Sequence, residues 1–265
     1  MQTIICKNYE EMSQAGARII ASQLTLKPDS VLGLATGSTP IGMYSILGEL
    51  CAKGEIDFSR VSSYNLDEYY PISPDNPQSY KYFMEENLFS KVNIDRARTH
   101  IPSGNSADPE KECKAYEAQI KKAGGIDIQV LGIGSDGHIA FNEPGSSLAS
   151  RTRIKTLTTD TIIANSRFFD NDINKVPKTA VTVGVGTVMD AKEVLILVNG
   201  HNKAQALYHA VEGNITQMWT ISVLQMHPRG IIVCDDAATA ELKVGTVNYF
   251  KDIERENLDP ASNLK

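Results

Sequence analysis

Residues 126–144 read IDIQVLGIGSDGHIAFNEP. The first eight positions are rich in Ile, Val and Leu, the composition of a strand covered on both faces. The run then stops at Gly134, and Asp136, His138 and Glu143 follow within ten positions. A buried strand that opens straight into ionisable groups fits an open α/β sheet, in which ligands sit outside the carboxyl ends of the strands.

Outward from that stretch the pattern repeats. Short apolar, β-rich runs at residues 31–35, 61–66, 180–185, 194–198 and 230–234 predict further strands. Amphipathic stretches at 40–53, 109–123, 202–212 and 237–253 predict helices between them. The first places Ile41, Tyr44, Leu47 and Leu50 near a 3.6 period, and the second opens on Asp108 as cap and Pro109 at the first helical position. Strands alternating with helices predict βαβ units around a mainly parallel sheet. No repeat, low-complexity tract or linker-like shift divides the 265 residues, so one domain is expected. The segment 150–177 is polar and short of predicted strands, which makes it the candidate lid.

Bulk properties narrow the function. A formal charge of -6 lacks the basic face that nucleic acid or an anionic membrane surface requires. No apolar run approaches the ~20 residues of a membrane helix, and the N-terminus has no signal-peptide layout. Cys6, Cys51, Cys113 and Cys234 are scattered without CxxC spacing, which reads as free thiols of a cytoplasmic protein.

Four loops carry the chemistry, each after a predicted strand. Ala35–Pro40, ATGSTP, joins a strand to a helix; Gly37 permits close backbone approach, while Ser38 and Thr39 bring hydroxyls. Such a turn is either an anion site at a helix N-terminus or an ordinary N-cap. Asp67 ends an apolar strand, where partial desolvation raises a carboxyl pKa and makes a usable base; a plain turn residue is the bland alternative. Asp136, His138 and Glu143 read as an acid–base group, since an imidazole titrates near neutrality and adjacent carboxylates fix its tautomer. Residues 132–137 formally match GxGxxG, but no helix opens at the third Gly, so a dinucleotide site is rejected. His100, His201, His209 and His227 form no cluster at ligand spacing, and neither metal nor cofactor is expected. Arg167 and Lys203 are each able to clamp a phosphate.

These loops together resemble the glucosamine-6-phosphate deaminase family. The resemblance rests on LGLATGSTP, YNLDEYY, GSDGHIAFNEPGSSLASRTR, NSRFFDND, VPKTAVTVGVGTVMDA, AVEGNITQMWTIS and ELKVGT, in the family's order over nearly the whole chain. It implies a Rossmann-like α/β fold, an open, mainly parallel sheet with helices on both faces, and conversion of glucosamine 6-phosphate and water into fructose 6-phosphate and ammonia. It implies Asp67 as the enolisation base, and His138 as the ring-opening residue with Asp136 and Glu143 beside it. Phosphate would be held by Gly37, Ser38, Thr39, Arg167 and Lys203. A homohexamer is implied too, activated by N-acetylglucosamine 6-phosphate at Ser146, Arg153, Lys155, Thr156 and Tyr249. Arg153 and Lys155, two apart on an extended strand, would share a face; a solvated basic strand is the alternative from the residues alone. Two rivals stand beside this reading. A phosphogluconolactonase-like hydrolase shares the fold but needs no enolisation base. A sugar-phosphate-sensing module of transcriptional regulators would need a helix-turn-helix, for which the thirty or so residues before the first predicted strand are too few.

Overall fold

Seven parallel strands form the principal sheet of the computed structural model, which describes residues 1–255. In chain order its strands are β1 (Gln2–Cys6), β2 (Val31–Leu34), β3 (Ser62–Asn65), β5 (Thr99–His100), β6 (Ile128–Leu131), β9 (Glu193–Val198) and β10 (Gly230–Asp235). Across the sheet they lie in the order β1-β10-β9-β6-β2-β3-β5, every pair parallel. All four residues of β2 and of β6 are buried. Successive side chains of a strand point to opposite faces, so both faces of the sheet are covered. From β2 the chain proceeds to β3 and β5, then returns to place β6 on the other side of β2. That reversal is the topological switch point, and it brings the loops after β2 and β6 together at one crevice.

Three further strands form a separate antiparallel sheet in the order β4-β8-β7: β4 (Asp67–Tyr70), β7 (Arg153–Thr156) and β8 (Thr179–Thr182). A strand expected at 180–185 is therefore β8, displaced from the parallel sheet, and it stops at Thr182 because α6 (Val185–Met189) begins there. Leu66 alone separates β3 from β4. Its N–H donates to Leu34 O (3.1 Å) on the large sheet, and its carbonyl accepts from Val183 N (2.8 Å) beside the small one.

Three expectations need correction. The first strand is β1, not the run at 31–35, and α1 (Tyr9–Leu26) follows it, capped by the Asn8 side chain accepting from Glu11 N (2.9 Å). QTIIC is too short to show a period, and β1 is legible only through its partner β10. Segment 150–177 is not strand-free, since it holds β7 and the helix α5 (Thr159–Ser166). Residues 237–243 are not helical in the α sense: a 3₁₀ turn at Asp236–Thr239 precedes α8 (Val244–Ile253). Of the other helices, α2 (Ile41–Ala52) and α4 (Pro109–Lys122) match their amphipathic patterns, α4 starting where Asp108 accepts from Lys111 N. Also present are α3 (Tyr80–Asn87) and α7 (Ala204–Val211), the latter preceded by a 3₁₀ turn at His201–Lys203.

The main core lies on the large sheet, and a smaller cluster of Tyr69, Ile72, Phe141, Leu157, Phe169, Val176 and Ala180 lies against the small one. Phe141, from the loop after β6, belongs to this second cluster and ties the loop to it.

Candidate active site

Loops at the carboxyl ends of β2, β3, β6 and β9 enclose a cleft of about 460 Å³. Residues 36–39, Asp67, Asp136, His138, Arg167 and Lys203 all line it. Glu143 stands behind it, 2% exposed, and touches His138 from below.

The loop after β6 is shaped by two glycines. Gly137 adopts φ +75°, and an added Cβ would lie 2.4 Å from the Trp219 ring, so both backbone and space require glycine. At Gly134 a Cβ would lie 2.4 Å from His138 Cε1 and 2.6 Å from Asp136 Oδ1. The turn closes with Gly134 N donating to His138 O (2.9 Å) and Gly137 N donating to Gly134 O (3.0 Å). His138 Nδ1 then lies 2.7 Å from Asp136 Oδ1 and 3.6 Å from Glu143 Oε2. Burial works to raise the Asp136 carboxyl, but its hydrogen bond and charge interaction with His138 outweigh that and hold it below the ordinary value. Nδ1 faces the acids, so Nε2 is the ring atom free to exchange protons.

Asp67 is the first residue of β4 and is 6% exposed. Burial, with the Glu68 charge beside it, pushes its carboxyl up to about 8. Glu68 points the other way along the strand and serves as an anchor: it accepts from Tyr69 N (2.9 Å), Tyr80 N (2.9 Å) and Lys81 N (3.0 Å) at the start of α3. Burial outweighs these donors and raises Glu68 to about 7.

The opposite wall is cationic. Arg167 caps the end of α5, and Lys203 ends the turn after β9. Neither has a carboxylate within ion-pair distance among the described residues. Burial, then the Arg167 charge, lowers the Lys203 ammonium from its ordinary value. Two cations lining one cleft without a paired carboxylate are chemically suited to a dianion. Beside them Gly37 adopts φ +94° with open space over its Cα, and α2 starts at Ile41 without a side-chain cap. Thr39 Oγ1 donates to Asn199 Oδ1 (2.8 Å), tying this loop to the one after β9. Tyr9 Oη, which no motif in the sequence marks, donates to Thr39 O (3.1 Å) and accepts from Gly42 N (2.8 Å).

Asp136, His138 and Glu143 also form a group whose ligand atoms lie within 4.8 Å of one another. Two ligands each ~2.1 Å from a tetrahedral zinc would stand ~3.4 Å apart. The 2.7 Å between Nδ1 and Oδ1 is shorter than that spacing, although its geometry is not that of a hydrogen bond and Nδ1 and Glu143 Oε2 have no hydrogen-bond partner among the described residues.

The residues expected to bind an effector are divided. Arg153, Lys155 and Thr156 lie on β7, with Arg153 Nη1 donating to Asn142 Oδ1 (2.8 Å). Ser146 is buried, its hydroxyl without a partner. Tyr249 is on α8, which packs on β1 at the far edge of the large sheet, and is 60% exposed.

Comparison with known proteins bears on this geometry. The profile of glucosamine-6-phosphate isomerases/6-phosphogluconolactonase matches residues 7–232. The chain belongs to this family. A glucosamine-6-phosphate deaminase of Parabacteroides distasonis is 60% identical, and one of Bacteroides fragilis 62%, each over the full length of both chains. A solved monomeric glucosamine-6-phosphate deaminase superposes with a TM-score of 0.89 at 42% identity, covering 91% of this chain and 100% of the other. The 6-phosphogluconolactonase of Trypanosoma brucei, at 19% identity and a TM-score of 0.73 over 91% of this chain and 98% of its own, shares the fold. Within the described residues of this family member, no helix is long and apolar enough to cross a membrane.

Proposed function

We propose that the protein converts glucosamine 6-phosphate and water into fructose 6-phosphate and ammonia. One observation carries the reading: the cleft holds two separate proton-transfer centres, an imidazole flanked by acids and, apart from it, a buried carboxylate raised to about 8. Arg167, Lys203 and residues 37–39 bind the phosphate. His138 takes the anomeric hydroxyl proton and delivers one to the ring oxygen, opening the sugar, while Asp136 and Glu143 hold the ring and offset its charge. Asp67 removes the C2 proton and returns it to C1. The resulting C2 imine adds water and loses ammonia. Every step is a proton transfer or a hydrolysis, so no redox cofactor or metal is required. Full-length identity of 60–62% to two proteins of that name supports the reading.

A lactonase-like hydrolysis has no use for a second base, and Asp67 therefore favours the deaminase reading. A sensor module is disfavoured because binding alone has no use for the two proton-transfer centres of the cleft. The test is incubation of purified protein with glucosamine 6-phosphate and measurement of both products. Release of neither, with hydrolysis of 6-phosphogluconolactone instead, would transfer the chain to the rival activity.

Three finer points belong to the same proposal. The chain is one domain whose segment 150–177 closes over the substrate, supported by the place of Arg167 at the end of α5. The enzyme works in the cytoplasm, in keeping with four free thiols. It assembles as a homohexamer activated by N-acetylglucosamine 6-phosphate, with Ser146, Arg153, Lys155 and Thr156 of one subunit joined by Tyr249 of a neighbour. The unpartnered Ser146 hydroxyl and the exposure of Tyr249 support that site. The solved monomeric relative makes the oligomeric state a matter for measurement.

A further inference from the structure

The loop that carries His138 and Glu143 is not self-supporting. It rests on residues 216–221, a segment outside the cleft and distant in sequence. Ile221 N donates to Gly137 O (2.9 Å) at one end of the loop, and Gly145 N donates to Gln217 O (2.9 Å) at the other. Between these ends, Thr220 Oγ1 accepts from Ile139 N (3.3 Å) and donates to Asn142 O (3.1 Å), the residue before Glu143. Trp219 lies over Gly137 and is itself stacked on His209, ring centroids 3.9 Å apart.

From this geometry we infer that Thr220 is a positioning residue for the reaction, one that sets the spacing between His138 and Glu143. Its hydroxyl is 1% exposed as part of the residue and contacts no cleft atom, so it acts only through the loop. One hydroxyl bonds a donor one residue after the imidazole and an acceptor one residue before the carboxylate. The Ile139 N–H and Asn142 C=O are thereby held at a fixed separation, and with them the 3.6 Å gap between Nδ1 and Glu143 Oε2. Ala140, inside this span, has φ +51°, a conformation that a residue with a side chain keeps only where its surroundings impose it. Without the hydroxyl, the buried Ile139 N–H loses its acceptor and the loop relaxes toward another turn. The inference rests on the proposed deaminase reaction for its kinetic consequence, but not for its effect on the imidazole.

The experiment compares Thr220→Val, which keeps the shape and loses the hydroxyl, with Thr220→Ser, which keeps the hydroxyl. Glucosamine 6-phosphate is the substrate. In the valine variant kcat is expected to fall about 10- to 100-fold, the effect of a sub-ångström to 1 Å displacement of a reacting group, with KM within twofold of wild type. The serine variant should recover kcat to within about threefold of wild type. The His138 ring is followed by NMR across pH, its signal assigned by its loss in His138→Gln. Its titration midpoint should move in Thr220→Val and stay in place in Thr220→Ser. Should Thr220→Val fail to fold, Thr220→Ala takes its place with the same expectations. A normal kcat and an unmoved midpoint, with only the melting temperature lowered, would make Thr220 purely structural and overturn the inference. Wild type inactive on this substrate but with a midpoint that moves in the valine variant would instead overturn the substrate reading and leave the positioning role standing.

Discussion

Replacing Asp67 by Asn should sharply lower turnover while making the protein more stable in alkali. The carboxyl is buried and raised from 3.8 to about 8, so the folded state holds its proton where the unfolded chain has released it. Stability therefore falls with rising pH from about 4 to about 8, because the native state binds more protons than the unfolded state across that window. Above it the penalty is complete, at most ~6 kcal/mol at 1.36 kcal/mol per pH unit. An amide has no such charge to bury. In guanidinium titrations Asp67→Asn should match wild type near pH 4 and exceed it by several kcal/mol at pH 9. Activity should move oppositely. At pH 7 a group with a pKa of about 8 is ionised in roughly one molecule in ten. Wild-type kcat/KM should accordingly climb through pH 7 and level off above pH 8, whereas the variant loses on the order of 10²–10⁴-fold in kcat. In deuterated water the wild type should exchange hydrogen at C2 of the substrate and the variant should not. Exchange at the wild-type rate, or equal stability of both proteins at pH 9, would refute the argument that this buried carboxylate is the base.

Lys203→Ala and Arg167→Ala should mainly raise KM, since cations in the phosphate-binding role proposed for them act in ground and transition states alike; an unchanged preference for glucosamine 6-phosphate over glucosamine would remove them from that role. Gly134→Ala should keep the fold but lower kcat about tenfold or more, because its Cβ would press on His138 Cε1 at 2.4 Å; crystallography of the variant should show the ring displaced from Asp136. N-acetylglucosamine 6-phosphate should sharpen the substrate saturation of wild type, with a coupling of ~1–3 kcal/mol, and not that of Lys155→Ala; light scattering should give a hexamer, and a monomer insensitive to the effector would count against both. Chelators should leave activity intact, and inhibition reversed by added metal would contradict a purely acid–base cleft.

The parallel core was legible because β2, β6 and β9 are covered on both faces and so read as mainly apolar runs, broken only by Gln129 in β6 and by Glu193 at the start of β9. The small sheet as a sheet was not, although its strand β8 was expected as a strand. Its strands DEYY, RIKT and TAVT are four residues each, and antiparallel pairing of β7 with β8 bridges residues far apart in sequence. Polar content, the usual mark of a loop, thus concealed β7. Of the cleft and its backing, most residues visible beforehand carry charge, Asp67, Asp136, His138, Glu143, Arg167 and Lys203, while residues 37–39 showed through their Gly-Ser-Thr turn. What stayed hidden acts through neutral groups. Tyr9 reaches the loop after β2 from α1 through one hydroxyl, and Thr220 reaches the His138 loop from 78 or more positions away through another. Neither contact leaves a local pattern, since it depends on which elements the sheet order brings together.

Leu66 has a consequence for how the molecule comes apart. Its amide is committed to the large sheet and its carbonyl to the neighbour of the small one, with Asp67 next in the chain. At this point neither sheet can detach from the other without rupturing a hydrogen bond of this one residue, which couples their opening. Amide protons of Leu66 and Val183 would then report similar opening free energies in native-state hydrogen exchange. Adding or deleting a residue there would also invert the alternation of β4 and turn the Asp67 carboxylate to the opposite side of its strand.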